Sequence, residues 1–187
     1  MTALFLEPHA DDAVLFGSFT LLREQPMVIT VLESRVQLSR GTEITQPMRA
    51  TESRAAMSEL GCKWMQWGLD RGFGDDDPDW EMITERLKGG TKLYDRCYAP
   101  AVEIDGHDHH NAVGVAALAA FGVDRVIPYL TYTRTGGKST WGKRVPFEPW
   151  MVTRKLRALA CYTSQIESAA AGCTEHFLRD QHEYYAA

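Results

Sequence analysis

Four of the six histidines in this chain fall into two short clusters. The first is Pro8-His9-Ala10-Asp11-Asp12, and the second is Gly106-His107-Asp108-His109-His110. Imidazole nitrogen and carboxylate oxygen are common ligands of a catalytic zinc ion, which takes three protein groups and keeps one position open for water. His9 and Asp12 stand three residues apart at an expected helix entrance, so both side chains can point toward one spot. His110 would complete a His-Asp-His set. Asp11 is then left beside the metal but not on it, the place for a general base. Bound zinc lowers the pKa of water to about 7, within reach of a carboxylate near neutral pH.

Each cluster also has a plainer reading. A His-x-x-Asp sequence after a strand can be a helix N-cap with acidic residues that favour the helix dipole. Gly-His-Asp-His-His can be a surface turn. What distinguishes the two clusters is their joint position, each between an expected strand and an expected helix. In an open parallel sheet, sites form outside the carboxyl ends of the strands, where two loops distant in sequence can meet.

The elements that would position them follow from the apolar pattern. Residues 3–6 read as a short buried strand, and 27–32 as a second one rich in β-branched residues. A helix over 12–24 between them makes a βαβ unit, so the sheet should be at least partly parallel. Residues 34–47 read as a loop. A helix over 48–60 is stopped by Gly61, a strand follows over 62–67, and 70–80 is a loop rich in Gly and Asp. Asp79 can cap a helix running to Leu87 and ended by Gly89-Gly90. Further strands are expected over 97–104, with Pro100 away from a central position, and over 125–131; an alanine-rich helix covers 111–121. Val152, Leu156, Leu159, Thr163 and Ile166 repeat at helical spacing, and a last helix is expected over 175–185. The expected fold is therefore three-layer α/β/α and Rossmann-like, a mostly parallel sheet flanked by helices, in a single domain over 1–187.

With this order of elements, the two clusters resemble the signatures of the PIG-L/LmbE family of zinc-dependent N-deacetylases. The family's Pro-His-Pro-Asp-Asp stands here as Pro8-His9-Ala10-Asp11-Asp12. Its Gly-His-Pro-Asp-His stands as Gly106-His107-Asp108-His109-His110, followed by Asn111-Ala112-Val113. Two further patterns match in the same order: Arg49, Glu52, Ala56, Leu60 and Gly61, then Lys155, Ala158, Ser164 and Gln165. The resemblance implies zinc held by His9, Asp12 and His110, Asp11 as general base, and His107 stabilising the oxyanion or protonating the leaving amine. It implies that Arg49 contacts substrate, and more loosely that Asp70 binds sugar hydroxyls. The implied reaction is removal of an N-acyl group, chiefly acetyl, from an amino sugar or a related amine. Two departures stand out. His109 replaces an aspartate that often orients the site, a role open to Asp108 or Asp105. Asp105 stands where some members have a tyrosine, which Tyr129 or Tyr132 could replace.

Plainer readings remain for the secondary residues. Arg49 can pair with Glu52 on an exposed helix face, and Asp70 can be a turn residue. Trp64, Trp67 and Trp80 can be core rather than a sugar-stacking wall. Composition narrows the class further. A net charge of −5 gives no sign of nucleic-acid binding. Lys138, Lys143, Arg144, Arg154, Lys155 and Arg157 read as solvated surface charge. Cys62, Cys97, Cys161 and Cys173 form no CxxC pair, which suits free thiols in a reducing, cytoplasmic setting. Neither a signal peptide nor a membrane-spanning run is read from the sequence. The expected partner is a small N-acylated molecule.

Overall fold

The first strand of the sheet is buried at all of its positions. A strand with no polar face belongs at the centre of a sheet covered on both sides. The computed structural model describes residues 2–32, 36–37, 43–69, 80–133, 136–166 and 181–186. In chain order the elements are β1 (Ala3–Glu7), α1 (Asp12–Glu24), β2 (Met27–Thr30), β3 (Val36–Gln37), β4 (Glu43–Ile44), α2 (Gln46–Leu60), β5 (Lys63–Gln66), α3 (Trp80–Gly90), β6 (Arg96–Pro100), α4 (Asp108–Phe121), β7 (Val126–Tyr129), β8 (Lys143–Arg144), α5 (Pro149–Ala160), α6 (Thr163–Ile166) and β9 (Tyr184–Tyr185).

The main sheet runs β5-β2-β1-β6-β7-β9-β8. Its first five strands are parallel, and β9 and β8 add antiparallel pairings at one edge. β3 and β4 pair separately. From β1 the chain moves outward to β2 and β5, then returns to lay β6 on the other side of β1. The loops leaving β1 and β6 therefore diverge at a topological switch point, where a parallel sheet opens a crevice.

Side chains alternate across the sheet with the period of two that strands impose. Phe5, Val28, Tyr98 and Tyr129 pack with α1, α2 and α5 on one face. Leu4, Leu6, Ile29, Cys97 and Ala99 pack with α3 and α4 on the other. This is the expected three-layer α/β/α arrangement. Gly61 ends α2 at φ 75°, its N–H donating to Met57 and Ser58 carbonyls, as its position predicted. Gly114 lets α4 approach β6, since a Cβ there would lie 2.4 Å from the Pro100 carbonyl oxygen.

Several boundaries differ from expectation. The strand expected to reach Ile104 stops at Pro100. Beyond it the Asn111 side chain accepts from Glu103 N–H at 2.9 Å and donates to the Glu103 carbonyl at 2.7 Å, folding the chain into a turn. α4 begins three residues earlier than predicted, which puts His109 and His110 in its first turn. The single helix expected through Ile166 breaks between α5 and α6, where Glu52 accepts from Ser164 N–H at 2.7 Å. The last stretch is not a helix where described: residues 181–186 are extended and carry β9. Lys155, read as surface charge, is buried against Glu183 at 2.8 Å. Asp79 and residues 70–78 lie outside the described residues. Among the described residues no helix is long and apolar enough to cross a membrane.

Candidate metal centre

The turn after β1 is tied to itself. Asp11 and Asp12 N–H both donate to the His9 carbonyl, at 3.0 and 3.2 Å. Asp12 Oδ2 accepts from His9 N–H at 2.9 Å. Asp11 occupies the N-cap position of α1, yet its side chain makes no cap bond. Its carboxylate is therefore not spent on the helix, which separates the chemical reading from the plain capping one. Asp11 also adopts φ 151°, ψ −21°, outside the regions favoured by residues with a Cβ. Such a residue costs about 1–3 kcal/mol and persists where its surroundings over-determine it. Here Arg49 supplies the restraint. Its guanidinium donates to the Ala10 carbonyl and lies 3.5 Å from Asp11 Oδ2.

The second cluster enters from α4. His107 is the N-cap, its Nδ1 accepting from His109 N–H at 3.3 Å. His110, three residues after His107, is buried and turned toward the start of α1. Its Nε2 lies 3.1 Å from Asp12 Oδ2, while Nδ1 bonds Thr131 Oγ1 at 2.9 Å. His9 Nδ1 lies 3.3 Å from the same Asp12 oxygen. His9, Asp12 and His110 thus offer ligand atoms that all lie within 4.8 Å of one another. Two ligands at about 2.0–2.1 Å from a tetrahedral ion are separated by about 3.3 Å, close to these contacts. The residues fit a metal by a second criterion. His110 Nε2 is buried and has no hydrogen-bond partner beyond its close contact with the Asp12 carboxylate, while Thr131 holds the opposite ring nitrogen, the arrangement that fixes a ligating tautomer.

The electrostatics follow from this crowding. Burial pushes the Asp11 carboxyl up to about 6, tempered by the Arg49 charge. Burial also works against the Asp12 carboxylate, but the His110 and His9 contacts outweigh it and hold Asp12 well below the usual range. His9 is raised: burial opposes its charge, and its hydrogen bond to Asp12 prevails. Burial and the neighbouring imidazoles push His107 down to about 4. Beneath the site, burial raises Glu7 to about 7, moderated by its bonds from Thr30 and from Ala13 N–H.

Of the residues singled out from sequence, His9, Asp11, Asp12, His107 and His110 converge. Arg49 is present but sits beneath the turn, only 1% exposed. It does meet Glu52, at 3.9 Å, but in the interior rather than on an exposed face. Asp70 lies outside the described residues. Asp105 and Asp108 are exposed. Tyr129 is committed to the Leu6 carbonyl at 2.8 Å, whereas Tyr132 packs its ring 5.7 Å from His107 and 4.8 Å from His110. Trp64 donates to Thr30 Oγ1 at 2.8 Å and Trp67 stacks under Arg86. Trp80 reaches the site through His109, at 6.1 Å between ring centroids. Sequence reasoning missed Thr131, which only the packing of β7 beside β6 brings to His110. Ser164 and Gln165 serve structure: Glu52 holds Ser164 Oγ at 2.6 Å, and Gln165 donates to the same hydroxyl at 3.2 Å.

Fold and site together define a class: a three-layer α/β/α protein with a histidine–carboxylate centre at the switch point of its sheet. No family model matches the chain, and no curated protein matches it. Solved structures do. The N,N'-diacetylchitobiose deacetylase of Pyrococcus horikoshii superposes with a TM-score of 0.73 at 17% identity, covering 98% of this chain and 82% of that one. A 4-carboxy-2-hydroxymuconate hydratase of Pseudomonas putida gives 0.70 at 14% identity, over 96% and 84%. A zinc-inhibited form of a teicoplanin deacetylase gives 0.67 at 19% identity, over 89% and 85%. At such identities the likeness is one of fold, and the presence of a hydratase illustrates that fold alone does not set the reaction.

Proposed function

We propose that the chain is a zinc-dependent hydrolase that removes an N-acyl group, chiefly acetyl, from an amino sugar or a related small amine. The observation that carries this reading is the Asp11 carboxylate, held by Arg49 but not spent as a helix cap, beside the three convergent ligand atoms of His9, Asp12 and His110. Deacetylases of sugar-type substrates among the similar folds support it. Zinc held by His9, Asp12 and His110 supplies Lewis acidity and an acidified water.

The protein residues divide the remaining work. Asp11 accepts the proton of the attacking water, and a carboxyl near 6 is ionised at neutral pH while staying basic enough to take it. Arg49 is assigned to positioning rather than to substrate contact, because it is buried on the Ala10 carbonyl and Asp11. The His109 N–H occupies His107 Nδ1, so the neutral His107 ring carries its proton on Nε2. That N–H stabilises the developing oxyanion, and the proton that Asp11 took from the water passes to the leaving amine, which restores the Asp11 carboxylate.

The test is release of free amine from a panel of N-acyl amino sugars by zinc-loaded protein and by Asp11→Asn. Turnover by wild type, with loss of roughly 10²–10⁴-fold in the variant at equal zinc content, is expected. A fully active Asp11→Asn refutes the assigned base. Bound zinc without amine release from any sugar refutes the sugar substrate and moves the reading to a non-sugar acylamine.

A further inference from the structure

His9 faces two ways. Its Nδ1 lies toward Asp12 and the inner set, at 3.3 Å, while its Nε2 lies 2.9 Å from His109 Nδ1. His107 completes the outer side: its ring centroid is 5.4 Å from His9 and 5.2 Å from His109. His9, His107 and His109 offer ligand atoms that all lie within 4.8 Å of one another, a grouping distinct from His9, Asp12 and His110. The outer three are each partly exposed, whereas Asp12 and His110 are buried. An ion can therefore reach the outer group from solvent.

We propose that His9, His107 and His109 form a second, outer site for a borderline divalent transition metal, with His9 bridging it to the inner one. The proposal rests on the reading of His9 as an inner ligand. Three imidazoles suit zinc or copper(II) and disfavour magnesium or calcium, which take oxygen ligands. The 2.9 Å between His9 Nε2 and His109 Nδ1 is near the about 3.3 Å separation of two ligands on a tetrahedral zinc. Filling both sites occupies both ring nitrogens of His9, so its ring proton leaves to solvent. His107 ligates through Nε2 by moving its own proton to Nδ1, which gives up the 3.3 Å cap bond from His109 N–H. That rearrangement, and the lack of a carboxylate, make the outer site the weaker of the two. The same metal takes the His107 nitrogen whose N–H holds the oxyanion in the proposed reaction, so filling the outer site stops turnover.

The experiment is equilibrium dialysis of the full chain against rising zinc, with bound metal counted by mass spectrometry and folding checked by circular dichroism. Wild type should bind two equivalents in separate steps. His109→Phe keeps the ring beside Trp80 and removes the nitrogen, and should bind one. Asp12→Asn disables the inner set and should also bind one, which the added His109→Phe abolishes. A single equivalent in wild type at saturating zinc overturns the proposal. Retention of the second equivalent by folded His109→Phe does the same, and so does undiminished turnover with both equivalents bound. The count does not depend on the substrate, so failure of the hydrolase reading is distinguishable from failure of this one.

Discussion

Replacing Lys155 with Met should unfold the protein at markedly lower temperature, because the lysine neutralises a buried carboxylate with which it is paired directly. Lys155 Nζ lies 2.8 Å from Glu183 Oε1, and the two side chains are 1% and 0% exposed. Glu183 also accepts from Phe19 N–H at 2.9 Å, and Lys155 donates to the Leu15 carbonyl at 2.8 Å. Removing one partner of a buried pair costs about 3–5 kcal/mol, or roughly 6–20 °C in Tm for a domain of this size. The pH dependence has a definite sign. Burial already raises the Glu183 pKa, against the opposing Lys155 charge. A carboxyl with a raised folded pKa contributes stability below its unfolded value, and that contribution is lost as pH rises through the folded one. Without Lys155 the pKa climbs further, so the deficit of Lys155→Met should be larger at pH 8 than at pH 5. The double variant Lys155→Met/Glu183→Leu should recover to within about 1 kcal/mol of wild type, because apolar replacement of a buried pair is commonly neutral or better. Phe19 N–H and Leu15 carbonyl stand four residues apart in α1, the spacing of ordinary helix partners, so neither depends on the buried pair for a bond. Urea denaturation of both single variants and the double at both pH values checks this. A Lys155→Met deficit below about 1 kcal/mol at pH 8, or a double variant worse than either single, would refute the reasoning.

Three further predictions concern the site. Thr131→Val removes the partner of His110 Nδ1 and should weaken metal affinity about 10–100-fold, measured by chelator competition. Unchanged affinity would mean that the ring is oriented by packing alone. Arg49→Lys loses the planar guanidinium whose Nη2 meets both the Ala10 carbonyl and Asp11, and should lower kcat by about 10–100-fold, with metal content near wild type. A loss confined to KM would return Arg49 to the role of substrate contact. Turnover should fall as pH drops through a midpoint no higher than about 6, since Asp11 must be ionised and a bound cation lowers its pKa further. The pH–rate profile checks this; an acid limb that survives in the residual activity of Asp11→Asn would assign it to another group.

Much of the scaffold was legible because it is local. The apolar run of β1 and the β-branched residues of β2 each settle an element within about half a dozen residues. Gly61 could be read as a helix stop because only its immediate neighbours are involved. The errors fall where a distant side chain decided the backbone. Glu52 breaks the helix before Ser164, and Glu183 ties the final segment to α1 as an extended strap. No periodicity in these segments encodes a hydrogen bond to a residue far along the chain.

The same division holds for the site. By itself the sequence determined which residues are able to do chemistry, and that each cluster follows a strand and leads into a helix. Those are properties of residue type and short spacing. The tertiary structure decided that the clusters meet, because β6 returns to lie beside β1, and strand order is not written in either strand's own pattern. It decided that Asp11 is not consumed as a helix cap and that Arg49 works from beneath the turn. It also turned one His9 nitrogen toward Asp12 and the other toward His109. The direction of a side chain depends on everything packed around it, and that is settled only when the layers close.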